Sequence, residues 1–239
     1  MTPETLASVM EATWPPARVH RLGPWLLREG QGGGQRVSAA TAAGPWQPGD
    51  IPQAEAAMRG FGQSPLWVLY DDDPLDQALA ARGYRRHDPV IAYAAPVSAL
   101  AGLVSNPEDL GMAAFPHWPP LAIARDLWAE GGIGPARVAV MERVTGPKTA
   151  ILGRSSDTPS GAAFVAIAGG IAMLHALEVR PALRRQGSAR NILIAAAYWA
   201  QDHGATTLSL VVTEQNSAAR ALYETMGMIA VGHYHYRVI

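Results

Sequence analysis

The chain has no cysteine. Disulfides, thiolate metal sites and a cysteine nucleophile are therefore excluded. Lysine is nearly absent as well: of 19 basic residues, 18 are arginine and the other is Lys148. Only 16% of residues are charged, and the formal net charge is −1. That balance argues against a general nucleic-acid binder, whose affinity rests on neutralising phosphates. Long hydrophobic runs are missing too. The most apolar stretch, residues 162–177, is broken by Gly169-Gly170 and is too short to span a bilayer. The N-terminal MTPETLASVMEATWPP carries early acids and no uninterrupted apolar segment, so it does not read as a signal peptide. The expectation is a cytoplasmic protein without a membrane partner. What is present suffices for a full core, because 49% of residues are hydrophobic.

GAAFVAIAGGIAMLHALEV reads as two strands joined at Gly169-Gly170, a tight-hairpin signal because both residues tolerate positive φ. The second strand, Ile171–Val179, is apolar on both faces, as expected of a central strand covered on both sides. Pro181 ends its pairing. Ile192, Ala195, Ala196 and Trp199 then mark one buried helix face, closed by His203 and Gly204. TTLSLVVT (206–213) is a strand. NSAARALYETMG is a second helix, with Asn216 as N-cap and Gly227 as stop. MIAVGHYHYRVI closes the chain as one or two strands. Upstream, ARVAVMERV and TAILGRSS read as strands, and residues 119–131 as a helix. The sum is a mixed, mostly antiparallel sheet flanked by helices, beginning near residue 101 after the turn-rich GLVSNPEDLG.

The stretch RRQGSARNILIAAAYWAQDHG carries the chemistry. A helix start has unpartnered N–H groups and a positive partial charge. Here it has no acid in its first turn, Gly187 lets the backbone approach a ligand, and Ser188 and Ala189 add no bulk. Arg180, Arg184, Arg185 and Arg190 flank it. A phosphate or pyrophosphate fits such a site. A solvated arginine cluster beside an ordinary helix fits the same residues equally well.

LEVRPALRRQGSA resembles the acyl-CoA-binding motif of the GCN5-related N-acetyltransferases, V-x-P-x-x-R-x-x-G-x-G/A. It is met by Val179, Pro181, Arg184, Gly187 and Ala189. The second family signature, N-x-x-A-x-x-L-Y-x-x-x-G-F, is met by Asn216, Ala219, Leu222, Tyr223 and Gly227, with Met228 in place of Phe. The resemblance spans roughly residues 101–239 and is clearest over 171–228. It implies acetyl-CoA (CoA) as co-substrate, with no metal. The backbone of Leu177 and Val179 would pair with the pantetheine arm. The amides of Arg185, Gln186, Gly187, Ser188, Ala189 and Arg190 would hold the pyrophosphate, beside Arg184 at the motif arginine. Asn216 would hydrogen-bond the cofactor arm, and Tyr223 would protonate the departing thiolate. Glu178 is a candidate base near the amine. It reads equally well as a strand-end acid paired to Arg180 or Arg184. His175, on an apolar strand, reads as a hydrogen-bonded core residue. His233 and His235 share a face without an evident third ligand, which favours an ordinary edge strand over a metal pair.

The resemblance implies an N-acetyltransferase acting on a primary amine, a small molecule or a peptide. Near-zero net charge makes a highly charged polymeric acceptor less suitable. A non-catalytic CoA-binding regulatory module is the alternative, and a homodimer is left open. The first hundred residues contain a weak echo of the second motif. LWVLYDDDPLDQALAARGYRR resembles LSLVVTEQNSAARALYETMGM. Placing Gly83 on Gly227 puts Leu79 at Tyr223 and Asp72 at Asn216, so residues 1–100 read as a degenerate copy of the catalytic domain, 101–239. Any strand–helix–Gly unit would align about as well. Within the first hundred residues, EGQGGGQ reads as a hairpin turn rather than a phosphate loop, because no apolar strand-to-helix context supports the latter.

Overall fold

The computed structural model describes every residue except Asp71, and the side chains of Pro107 and Asp109 also lie outside the description. The first part of the chain runs α1 (Pro3–Thr13), β1 (Arg18–Leu22), β2 (Trp25–Glu29), β3 (Thr41–Ala42), α2 (Ile51–Gly60), β4 (Leu66–Tyr70), α3 (Leu75–Ala81), β5 (Arg85–Pro96) and α4 (Val97–Ala101). It continues with α5 (Pro107–Leu110), β6 (Ala114–His117), α6 (Ala122–Glu130), α7 (Pro135–Arg143), β7 (Lys148–Ser155), β8 (Thr158–Ala168) and β9 (Ile171–Val179). The last elements are α8 (Ser188–Asp202), β10 (Thr207–Thr213), α9 (Ser217–Thr225) and β11 (Ile229–Val238). Among the described residues, no helix is long and apolar enough to cross a membrane.

Strands β1, β2 and β3 form a small sheet. The other eight form one mixed sheet in the order β4-β11-β5-β10-β9-β8-β7-β6. Its pairs are antiparallel except β9 with β10. Gly169 and Gly170, at φ 56° and 76°, make the expected β8–β9 turn. Helix α8 covers one face of the sheet. Sequence periodicity marks one buried side, but Leu193, Ile194 and Ala197 are buried as well as Ile192, Ala196 and Ala200. The added burial follows from α4, which packs on the outer side of α8. The opposite face is covered by α1, α6 and α7, around Trp128, Phe164 and Val140.

The stretch ARVAVMERV is not the expected strand but α7. Pro135 sits in the first turn, where its missing N–H is no loss. Val138 and Met141, three residues apart, then bury on one face. The β preference of the valines is weaker than that burial. EGQGGGQ lies in the connection of an antiparallel pair, β2 and β3, but that connection is longer than a hairpin turn. Its chain leaves β2 and returns as β3 only after a loop over residues 30–40.

The division expected between residues 100 and 101 falls inside α4, and the large sheet runs across it. β5 lies between β10 and β11, while β11 lies between β4 and β5. The sequence echo corresponds to two β-α-β units, β4-α3-β5 and β10-α9-β11. Their helices end alike. Gly83 and Gly227 have φ 88° and 82°. The Tyr84 N–H bonds Leu79 O at 3.1 Å, and the Met228 N–H bonds Tyr223 O at 3.0 Å. The pairing of β5 with β11 follows the same correspondence. Placing Gly83 on Gly227 places Val90 on Tyr234, and those two residues are register partners. Ile229 pairs with Ala94, and its counterpart Arg85 pairs with Val238. The two units thus interleave their second strands about an approximate two-fold through the Val90–Tyr234 pair.

Candidate active site

β9 and β10 pair only from Ile171 to Leu174 against Thr207 to Leu210. Beyond that point they separate, and a cleft of about 580 Å³ opens between them. Its walls include Leu174–Leu177 of β9, Leu210–Thr213 of β10, Asn216 and Tyr223. β9 carries a bulge where it separates: Ala176 has φ 52°, and the pairing with β8 shifts between Ala162 and Phe164. The Trp128 indole N–H donates to Ala176 O at 2.9 Å and fixes the bulge. The β10-facing edge of β9 therefore has no strand against it where it lines the cleft.

Of the residues singled out from sequence, Leu177, Asn216 and Tyr223 meet at this cleft. Asn216 caps α9, its carboxamide oxygen accepting from the Ala219 N–H at 3.1 Å. Its NH2 is not used by the cap. Tyr223 is buried beside Tyr93, with ring centroids 5.8 Å apart. Burial pushes its phenol up to about 12, so it is protonated at neutral pH.

Glu178 does not line the cleft. Its carboxylate accepts from Arg184 Nη2 at 3.1 Å, and its stem lies against Gly131, where an added Cβ would sit 2.3 Å from Glu178 Cγ. The bulge places Ala176 and Leu177 on the cleft and turns Glu178 toward the 131 and 184 loops. Arg184 Nε also donates to Val179 O at 3.0 Å, so that carbonyl is already occupied. The arginines around the start of α8 are not a uniform positive collar. Arg180 makes a two-pronged pair with Glu130, both contacts at 2.7 Å. Arg190 Nη2 donates to Leu103 O at 3.1 Å. Gln186 accepts from Ser155 Oγ at 2.6 Å. The anion-binding features that remain are the open first turn, Gly187 at φ 84°, Arg185 at φ 64° and Ser188, whose enclosed hydroxyl has no partner. Ala189 follows in the same turn.

The opposite end of the cleft is one that sequence reading did not single out. Gly33, Gly34, Arg36, Asp88, Arg137, Tyr234 and Tyr236 line it together with His175. Thr13 Oγ1 gives its proton to Val9 O at 2.7 Å. It must therefore accept from His175 Nε2, 2.9 Å away. That leaves His175 Nδ1 to accept from Arg36 Nη1 at 3.0 Å. Burial, and then the Arg36 charge, hold the imidazole well below its usual range. His175 is thus a neutral core group that orients an arginine. His235 pairs with Asp76 at 2.6 Å. Among the described residues, no cluster of three His, Asp or Glu side chains could hold a metal. The signals for this end were faint in the sequence: a glycine run with no local motif, and Asp88-Pro89 inside a strand, where Asp88 takes φ 42°.

A mixed sheet whose one parallel pair splays beside a bulge, next to a glycine-led helix, defines the class: the fold is that of the GCN5-related N-acetyltransferases. Comparison with known proteins narrows this. The model of the acetyltransferase (GNAT) family matches residues 124–228. The chain is 24% identical over 237 residues to the uncharacterized N-acetyltransferase YobR of Bacillus subtilis, covering 95% of this chain and 94% of the relative. A GCN5-related N-acetyltransferase from Kribbella flavida superposes with a TM-score of 0.69 at 20% identity, covering 98% of this chain and 94% of that one. A functionally unknown conserved protein from Staphylococcus epidermidis gives 0.65 at 10% identity, covering 94% of each chain. These two likenesses are of fold, and they extend well beyond the matched domain into the N-terminal hundred residues.

Proposed function

We propose that the chain is an acyl-CoA-dependent N-acyltransferase, with acetyl-CoA as donor and a primary amine as acceptor. One observation carries this reading: an unpaired strand edge, a carboxamide NH2 left unused by its helix cap and a buried protonated phenol converge on one cleft. An extended pantetheine arm would add to β9 at Ala176–Leu177 as a strand adds to a sheet edge. The Asn216 NH2 would donate to that arm. The pyrophosphate would lie at the first turn of α8, where N–H groups and the helix dipole favour an anion.

In the reaction the amine nitrogen attacks the thioester carbonyl, and the carbon–sulfur bond breaks as the tetrahedral intermediate collapses. The sulfur takes a proton from the Tyr223 hydroxyl, and the amine loses one to Asp88, a carboxylate in the cleft lining. A phenol near 12 is a weak acid toward a thiolate in water, whose conjugate thiol sits at about 8.5. The same dry surroundings raise the thiol as well, which narrows the mismatch. Tyr223 is then a group that gives up its proton to a developing thiolate and not to bulk water.

The test is release of the CoA thiol from acetyl-CoA over a panel of primary amines, with a parallel calorimetric titration of acetyl-CoA. Amine-dependent release supports the reading. Tight acetyl-CoA binding without release for any amine contradicts it.

A further inference from the structure

The acceptor end of the cleft holds a cation that has no counter-ion among the described residues. Arg36 lines it, and among the described residues no carboxylate lies within ion-pair distance of its guanidinium. Its Nη1 is engaged by His175, and its Nε is enclosed without a hydrogen-bond partner. A buried N–H left in that state is costly, and native structures rarely keep one without a reason. Tyr234 is a hydrogen-bonding neighbour of this guanidinium, and the Nε–Nη2 edge of an arginine is the kind of fork that receives the two oxygens of a carboxylate.

Resting on the acyl-transfer reading above, we infer that the acceptor is a free amino acid or a similarly compact amine bearing a carboxylate, and that Arg36 binds that carboxylate in the cleft. The surroundings are built to hold Arg36 in place. Val9 O, Thr13, His175 and Arg36 form one hydrogen-bonded chain in which each donor has a single acceptor. The loop that delivers Arg36 is pinned at its start, where the Gly30 N–H donates to Gln63 Oε1 at 2.8 Å. Its Gly33 is packed so closely that a Cβ would meet Val140 Cγ2 at 2.6 Å and Val37 Cγ2 at 2.8 Å. Arg137 adds a second positive charge to the lining, against Asp88 as the carboxylate. The cleft thus offers an anion site at Arg36 and an acidic group for the amine. The compactness follows from the chain itself. His175, which orients Arg36, directly precedes Ala176 and Leu177, where the thioester would lie. A carboxylate on Arg36 leaves room for a short spacer before the reacting nitrogen.

The test uses full-length protein, acetyl-CoA and matched acceptor pairs, each amino acid against the amine that lacks its carboxylate: glycine with methylamine, alanine with ethylamine, tyrosine with tyramine, and so on. The expected result is a kcat/KM at least about 10²-fold higher for the acid of the best pair, the scale set by leaving a desolvated charge unpaired. Arg36→Gln should erase that preference while acetyl-CoA affinity by calorimetry stays the same. If Arg36→Gln does not fold, Arg36→Lys, which keeps the charge and loses the fork, should cut the preference at least about tenfold. A readout without turnover is calorimetric titration of the N-acetylated amino acid and its amide into the CoA complex, where the acid should bind and the amide should not. That binding, lost in the Arg36 variant, would uphold the carboxylate site at Arg36 even if no transfer occurred. Transfer to amines with no preference for a carboxylate, or a preference that survives at Arg36→Gln, would overturn the inference and leave the acyl-transfer reading standing.

Discussion

His175 shows how much one neutral side chain can organise. It cannot serve as a base toward an amine, because Nε2 donates to Thr13 and Nδ1 accepts from Arg36. In a folded molecule it resists protonation, and in the unfolded chain it titrates near 6.5. Below that pH the unfolded state takes up a proton that the folded state refuses. Stability should therefore fall as pH drops below about 6.5, by at most about 1.4 kcal/mol per pH unit from this group. Urea titrations at pH 7.5, 6.5 and 5.5 measure the slope. His175→Gln, which keeps a donor and an acceptor, should flatten it. An unchanged slope in the variant would place the acid sensitivity elsewhere. His175 was legible as a core histidine from its apolar strand, but Arg36 was not legible at all. Nothing near Arg36 in sequence marks it, since its hydrogen-bond partner His175 comes from β9.

At the scale of elements, the parts with local signals were readable and the others were not. α8 and α9 announce themselves through Asn216, Gly187, Gly204 and Gly227, each of which acts on its own neighbours. α7 reads as a strand because its valines favour one, although Gly134-Pro135 is the better signal and starts a helix. β6 leaves little trace in the sequence because it has only four residues, one of them Pro116, and lies at the sheet edge. The matched ends of α3 and α9 give a quantitative expectation. Gly83 and Gly227 both have positive φ with nothing within 4 Å of a built Cβ. Their replacement by Ala therefore costs backbone strain alone, about 1–2 kcal/mol at each position. Denaturant melts of Gly83→Ala and Gly227→Ala should agree within about 0.5 kcal/mol, the usual scatter of independent sites. A much larger loss at one of them would mean that the two helix ends are not equivalent.

The whole molecule depends on pairings that no local pattern specifies. β5 has both its sheet neighbours, β10 and β11, from the far end of the chain. Sequence neighbours are sheet neighbours only about two-thirds of the time, and here the exceptions carry the architecture. A cut at residue 100 would remove β4 and β5, leaving β10 and β11 apart with their inner edges open. Residues 101–239 expressed alone should then fail to give a soluble folded species, and the full chain should unfold in one cooperative transition. A soluble 101–239 fragment with native circular dichroism would show that the second half stands by itself.

The central claim is that the cleft between β9 and β10 performs acyl transfer with Tyr223 as its proton donor, and steady-state kinetics of Tyr223→Phe tests it most directly. The variant keeps the buried ring and removes only the hydroxyl, so its melting temperature and acetyl-CoA affinity should stay close to wild type. The hydroxyl matters only as the thiolate departs, so the loss should fall on kcat, by about 10²–10⁴-fold. A donor with a more acidic thiol should recover part of it. A variant with normal kcat, normal stability and normal acetyl-CoA binding would make Tyr223 a packing residue and contradict the account.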